Sequence, residues 1–195
     1  GTESDNWALI ATARRLQHKG KHIITTAVEH DAILKTAERL KSRGFEITYL
    51  APDPITGRVS ASDVEKELRD DTVLVSVMLV NNETGAVNPV KEISDMLKKH
   101  NSSAILHTDA VQAFCKIPVS PKALGADLIT LSSHKIHGPK GAGALYMKKG
   151  LRLPPLLTGG GQESGYRSGT EPIPAICGFA AAAELGAKNL DANAK

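Results

Sequence analysis

A chain of 195 residues that is 41% hydrophobic, 23% charged and 4% aromatic has the composition of one large folded domain with a substantial core. Its 24 basic and 21 acidic residues leave a formal charge of +3, too small to argue for nucleic acid or a membrane surface as the partner. No apolar run reaches the roughly 18–20 residues that a membrane span needs, and no signal peptide is present. Cys115 and Cys177 have no metal-ligand spacing, which favours reduced thiols in a cytoplasm. The chain begins "GTESDN" rather than with Met, and reads as a segment of something longer.

Along the chain, apolar runs alternate with helical patterns. Residues 22–28 (HIITTAV) predict a strand, and Asp31 to Arg43 a helix with Ile33, Leu34, Ala37 and Leu40 on one face and Gly44 at its stop. Residues 45–50 predict a second strand, ended by the turn "PDPITG". A short helix is expected from Ser62 to Arg69, with Ser62 as N-cap and Glu65 three residues on. Thr72–Val80 (TVLVSVMLV) is almost continuously apolar, as a central parallel strand covered on both faces must be. Pro89–His100 follows as a helix with Val90, Ile93 and Leu97 inward. Ala104–His107, Asp127–Leu131 and Ala142–Met147 are further strands, and Pro172–Ala187 an alanine-rich helix. This rhythm predicts an α/β fold with a mainly parallel sheet, and one antiparallel neighbour around "GPKGAG".

Polar residues gather where strands end, and in open α/β sheets ligands sit beyond the carboxyl ends of the strands. Four endings stand out: Glu29-His30, Asn81-Asn82-Glu83, His107-Thr108-Asp109 with Gln112, and Ser132-Ser133-His134-Lys135. Each alone reads equally well as a solvated strand end; together they point to one cleft. Lys135 directly follows a buried-looking strand, where a lysine can serve as a Schiff-base nucleophile, although most lysines simply lie on the surface. Asp109 could cap a loop, or pair with the ring nitrogen of a pyridine cofactor; a lysine with such an acid is the binding signature of pyridoxal phosphate. Two rival readings are weaker. His107-x-Asp109 and His134-x-x-His137 form no fixed metal-ligand cluster, and "GPKGAG" lacks the spacing of a phosphate loop.

"GTESDN", "VEH", "VNNETG", "HTDAVQ", "SSHKIHGPKGAGALY" and "GGGQESGYRSGTE" occur here in the order found in cysteine desulfurases of the NifS/IscS type, which the chain resembles from residue 1 to about 187. These are class V aminotransferase-family, fold-type I pyridoxal phosphate enzymes. The resemblance implies a three-layer α/β/α fold, and it implies that residues 1–195 are a single cofactor-binding large domain without the full enzyme's N-terminal segment and C-terminal small domain. By the same resemblance Lys135 would hold pyridoxal 5'-phosphate as a Schiff base. Ser132, His134 and Thr2 would bind its phosphate, with Thr2 at a helix N-terminus. His30 would stack on the pyridine ring and move protons, Asp109 would pair with the ring nitrogen, and Gln112 would bond the phenolic oxygen. Asn82 would lie near that oxygen and the substrate carboxylate. Thr170 would reach the phosphate bound in the partner subunit of a homodimer.

The implied reaction takes L-cysteine to L-alanine, with sulfur passing to an enzyme cysteine as persulfide and then to a sulfur-acceptor protein, for iron–sulfur cluster assembly or another route. Neither Cys115 nor Cys177 matches the position of that nucleophile; both are expected to be packed thiols, and the nucleophile is expected beyond Lys195. Two alternatives remain open at this level: a selenocysteine lyase sharing the cofactor site, and a non-catalytic cofactor-binding or dimerisation scaffold.

Overall fold

Successive residues of a strand point to opposite faces of its sheet, so an unbroken apolar run has to be covered twice. The computed structural model, which describes residues 1–193, meets that demand. Its strands are β1 (His22–Thr26), β2 (Glu46–Leu50), β3 (Thr72–Ser76), β4 (Ile105–Asp109), β5 (Leu128–Ser132) and β6 (Gly143–Met147), lying side by side in the order β2-β1-β3-β4-β5-β6. Neighbours are parallel except β5 and β6, the antiparallel pair expected around "GPKGAG".

Ile23, Leu74 and Leu128 face a layer formed by α1 (Thr2–Leu16) and α2 (Asp31–Lys41), where they meet Leu9, Ile33 and Leu40. Ile24, Val75 and Ile129 face the opposite layer, meeting Val64 of α3 (Ala61–Glu67) and Ile93 and Leu97 of α4 (Val90–Lys99). The result is the expected three-layer α/β/α arrangement. Gly44 takes a left-handed φ of 84°, which ends the turn after α2 as anticipated.

Four local readings change. Residues 2–16 form α1, which the apolar pattern did not reveal because its buried face includes Ser4, Asp5, Ala8 and Thr12 beside the larger Leu9 and Leu16. β3 stops at Ser76 rather than Val80, although Val77 and Leu79 still donate to the carbonyls of His107 and Asp109. The N-cap of α3 is Ser60, not Ser62: Ser60 and Asp63 exchange the two bonds of a capping box, while Ser62 only meets the Ser60 hydroxyl. β4 runs on to Asp109, two residues further than expected, which carries that carboxylate to the strand's end.

The short α5 (Pro121–Leu124) precedes β5, and α6 (Ile173–Lys188), followed by the single turn α7 (Leu190–Asn193), closes the described fold. α6 turns its small residues inward. A Cβ added to Gly178 would lie 2.5 Å from Pro139 Cγ, one added to Gly186 would lie 2.7 Å from Cys115 Cβ, and one added to Gly138 would lie 3.2 Å from Ala182. Ile173, Ile176 and Leu185 stay exposed. Among the described residues no helix is long and apolar enough to cross a membrane.

Candidate active site

The strand order reverses between β1 and β3: the chain leaves β1 for β2 on one side, then returns to lay β3 on the other. Loops leaving two strands at such a reversal diverge, and a crevice opens at their carboxyl ends. Here it is cross-tied. The Glu29 carboxylate accepts from the Met78 amide at 2.8 Å and the Thr26 hydroxyl at 2.9 Å, while the Asn81 side-chain amide donates to the Val28 carbonyl at 2.9 Å. Asn81 Oδ1 also takes the amides of Glu83 and Thr84. Each tie is made by the residue just before a cleft residue, His30 or Asn82.

The cleft has a volume of about 380 Å³ and is lined by Thr2, His30, Asn82, Asp109, Gln112, Ser132, His134 and Lys135, with Gly1, Asp5, Met78 and Val111. All four polar strand endings therefore meet, and the structure brings together eight of the nine residues expected at the site. The ninth, Thr170, is exposed and does not line the cleft. Nor does either cysteine: Cys115 is buried, as expected, whereas Cys177 is exposed on α6 rather than packed.

Several groups have defined partners. His30 caps α2, its Nδ1 accepting from the Ala32 amide at 3.1 Å, so the neutral ring carries its proton on Nε2. Ser132 Oγ and His134 Nδ1 are 2.9 Å apart. Burial first, and then the neighbouring Lys135 and Lys140, hold His134 below the ordinary histidine range. Gln112 Oε1 accepts from Lys116 at 2.7 Å. Asp109 Oδ1 accepts from the Val111 amide at 2.8 Å; burial pushes its carboxyl up, and that amide and His30 pull it back.

The chemistry of this donor set fits a phosphorylated heteroaromatic aldehyde. The first amides of α1 have no partner within the helix, and Gly1 makes no side-chain cap, leaving N–H donors beside the Thr2, Ser132 and His134 side chains. The Ser133 hydroxyl nearby is buried without a partner. A lysine amine, an acid suited to a ring cation and a flat imidazole complete the set, and the volume falls within the roughly 300–1,000 Å³ usual for small-molecule sites.

The geometry at His107 does not suit a metal ligand. Among the described residues no group of three His, Cys, Asp or Glu could hold an ion, and His107 is fully buried, its two nitrogens taken by the Ser76 and Thr130 hydroxyls at 2.9 and 3.0 Å. Burial lowers its pKa to about 3, so it is neutral. Asp5, Met78 and Val111 were not anticipated. For Asp5 a signal existed: once residues 2–16 are a helix, Asp5 stands three residues from Thr2 and shares its face.

The aminotransferase class-V family profile matches residues 1–195. The cysteine desulfurase IscS of Methanosarcina thermophila is 47% identical over 98% of this chain and 46% of its own length. A solved NifS-like protein superposes with a TM-score of 0.94 at 43% identity, covering 97% of this chain and 52% of that one. A structure described as SspA in complex with cysteine gives a TM-score of 0.88 at 43% identity, covering 94% and 52%. The chain thus spans about half the length of the relatives it matches. With the cleft, the sheet order and a match across its whole length in agreement, the chain belongs to the aminotransferase class-V family.

Proposed function

We propose that this chain is the cofactor-binding large domain, a single domain, of a pyridoxal 5'-phosphate-dependent cysteine desulfurase. The observation that carries the reading is the convergence of Lys135, Asp109 and His30 with the Thr2, Ser132 and His134 anion-binding groups in one cleft. Lys135 would hold the cofactor through its amine. Thr2, Ser132 and His134 would hold the phosphate, which the N-terminus of α1 and the adjacent cations favour. Asp109 would face the ring nitrogen, and Gln112 and Asn82 would donate towards the phenolic oxygen, Asn82 also towards the substrate carboxylate. When bound, pyridoxal phosphate supplies an electron sink for a proton leaving the substrate's α-carbon. His30, fixed through Nδ1, would stack on the ring and is oriented to move a proton at Nε2.

L-cysteine is the substrate we assign, in line with the cysteine held by the similar SspA and the names of the curated relatives. Because neither cysteine of this chain lines the cleft, the thiol that takes the sulfur is assigned to the length of the relatives that this chain does not span, and a sulfur-acceptor protein would follow it. Thr170, exposed outside the cleft, is free to act on a partner subunit's site in a homodimer. The unbridged Cys115 and Cys177 fit a reducing, cytoplasmic setting. The same absence of a thiol from the cleft favours one second reading, a cofactor-binding scaffold without turnover; sulfide release from L-cysteine by this chain without added thiol would refute it.

The test of the main reading is direct. Titrating the chain with pyridoxal phosphate should produce the visible band of a lysine-bound cofactor, and Lys135→Ala should abolish it. An unchanged band in the variant would show the lysine assignment to be wrong.

A further inference from the structure

Three carboxyl groups lie under one cleft, and only one of them has been given a task. Asp5 is 1% exposed, lines the cleft, and its Oδ1 is buried without any hydrogen-bond partner. Glu29, 5% exposed, has both its bonds on Oε1 and leaves Oε2 buried and unpartnered. Asp109 differs: its Oδ1 accepts from the Val111 amide, and its neighbour His30 favours its charged form.

We propose, building on the cofactor reading above, that Asp5 is a positioning residue for Asp109: its buried carboxyl, with Oδ1 left unpartnered, holds a proton at neutral pH, so that Asp109 alone presents negative charge to the cleft. A carboxylate removed from water needs donors on its oxygens, and an orphaned oxygen is tolerable only in the neutral acid. Most of the groups facing Asp5 from other elements offer its charge no compensation. From β4 come the like-charged Asp109 and the neutral His107, whose Nε2 is 3.7 Å from Asp5 Oδ1; from the end of β1 comes Glu29. The Thr130 hydroxyl of β5 favours the charged form. Burial and then Asp109 outweigh it and raise the Asp5 pKa to about 8. Several acids sharing one buried volume divide their protons according to the donors each can reach. Asp109 has donors; Asp5 lacks one on Oδ1.

Above pH 8, then, Asp5 adds a second negative charge beside Asp109, which favours the protonated form of a cofactor held there. In the cofactor-loaded chain carrying Glu29→Gln, which removes the neighbouring acid that also titrates near pH 8, the visible spectrum should show a transition near pH 8 that the further change Asp5→Asn removes. The same transition in both proteins overturns the proposal. Independently, carboxyl-carbon NMR on the cofactor-free wild-type chain should give Asp5 a titration midpoint above about 6.5, where an ordinary aspartate titrates near 3.9. A midpoint below about 5 overturns the proposal whether or not Asp5→Asn folds. Failure of the wild type to bind pyridoxal phosphate would refute the cofactor reading alone, because the NMR titration still decides the state of Asp5.

Discussion

Gly178→Ala tests whether α6 is seated as closely on the lysine-bearing loop as its small inward face indicates. The new methyl carbon would stand 2.5 Å from Pro139 Cγ and 2.9 Å from Pro139 Cδ. Carbon atoms in contact sit about 3.5–4.0 Å apart, so α6 or the loop must retreat by roughly 1 Å. A ring held in its backbone cannot swing aside, and overpacking of this kind costs about 1–3 kcal/mol. Against that, Ala is about 1 kcal/mol better than Gly in a helix interior. The expected net is a loss of about 1 kcal/mol in urea unfolding. Ala181→Gly, on the exposed side of the same helix, calibrates the propensity contribution and should also lose about 1 kcal/mol. Pro139 lies four residues beyond Lys135, so pyridoxal phosphate affinity should weaken with Gly178→Ala and stay unchanged with Ala181→Gly. A Gly178→Ala protein more stable than wild type by the full propensity gain would refute the close seating.

Two further outcomes follow from buried and capping groups. Glu29 is pushed up to about 8 by burial, against the opposing pull of the Met78 amide and the Thr26 hydroxyl. Its neutral form is therefore favoured on folding, and wild-type stability should fall as pH rises from about 4.5 to 8, where the unfolded chain releases the proton and the folded one keeps it. Glu29→Gln, which keeps an acceptor for both bonds, should remove the Glu29 share of that slope, leaving the share from Asp5, and exceed wild type by about 2–4 kcal/mol at pH 8; parallel pH profiles in urea unfolding would refute it. Ser60→Ala should cost about 1 kcal/mol by removing the capping box, whereas Ser62→Ala should change thermal stability by no more than about 0.5 kcal/mol. Equal losses at the two serines would return the cap to Ser62.

Much of the site was legible in order along the chain because strand ends are legible. A near-continuous apolar run such as Thr72–Ser76 has to be a covered strand, and the compact polar residues after it have to emerge at its carboxyl end. That reasoning brings His30, Asn82, Asp109 and Lys135 to the edge of one sheet without coordinates. It fails where burial is not apolar. Helix α1 hides Ser4, Asp5 and Thr12, so its inner face shows little hydrophobic periodicity, and no apolar pattern marks the acid under the cleft. The N-cap of α3 slipped by two residues because both Ser60 and Ser62 have an acid three places on.

The amino-acid order alone therefore set the fold class and the polar residue types that gather beyond the strands, since backbone periodicity and the cost of burying polar groups act locally. Only the assembled sheet decided that β1 and β3 part at the cleft, because which strand lies beside which depends on contacts between distant residues. It likewise decided that α6 turns glycine and alanine inward and leaves Ile173, Ile176 and Leu185 outward, a choice opposite to the one hydrophobicity would make. And it decided the company of Asp5: a carboxyl's charge depends on the acids and donors around it, and those come from β4, β5 and the end of β1, between 24 and 125 residues further along the chain.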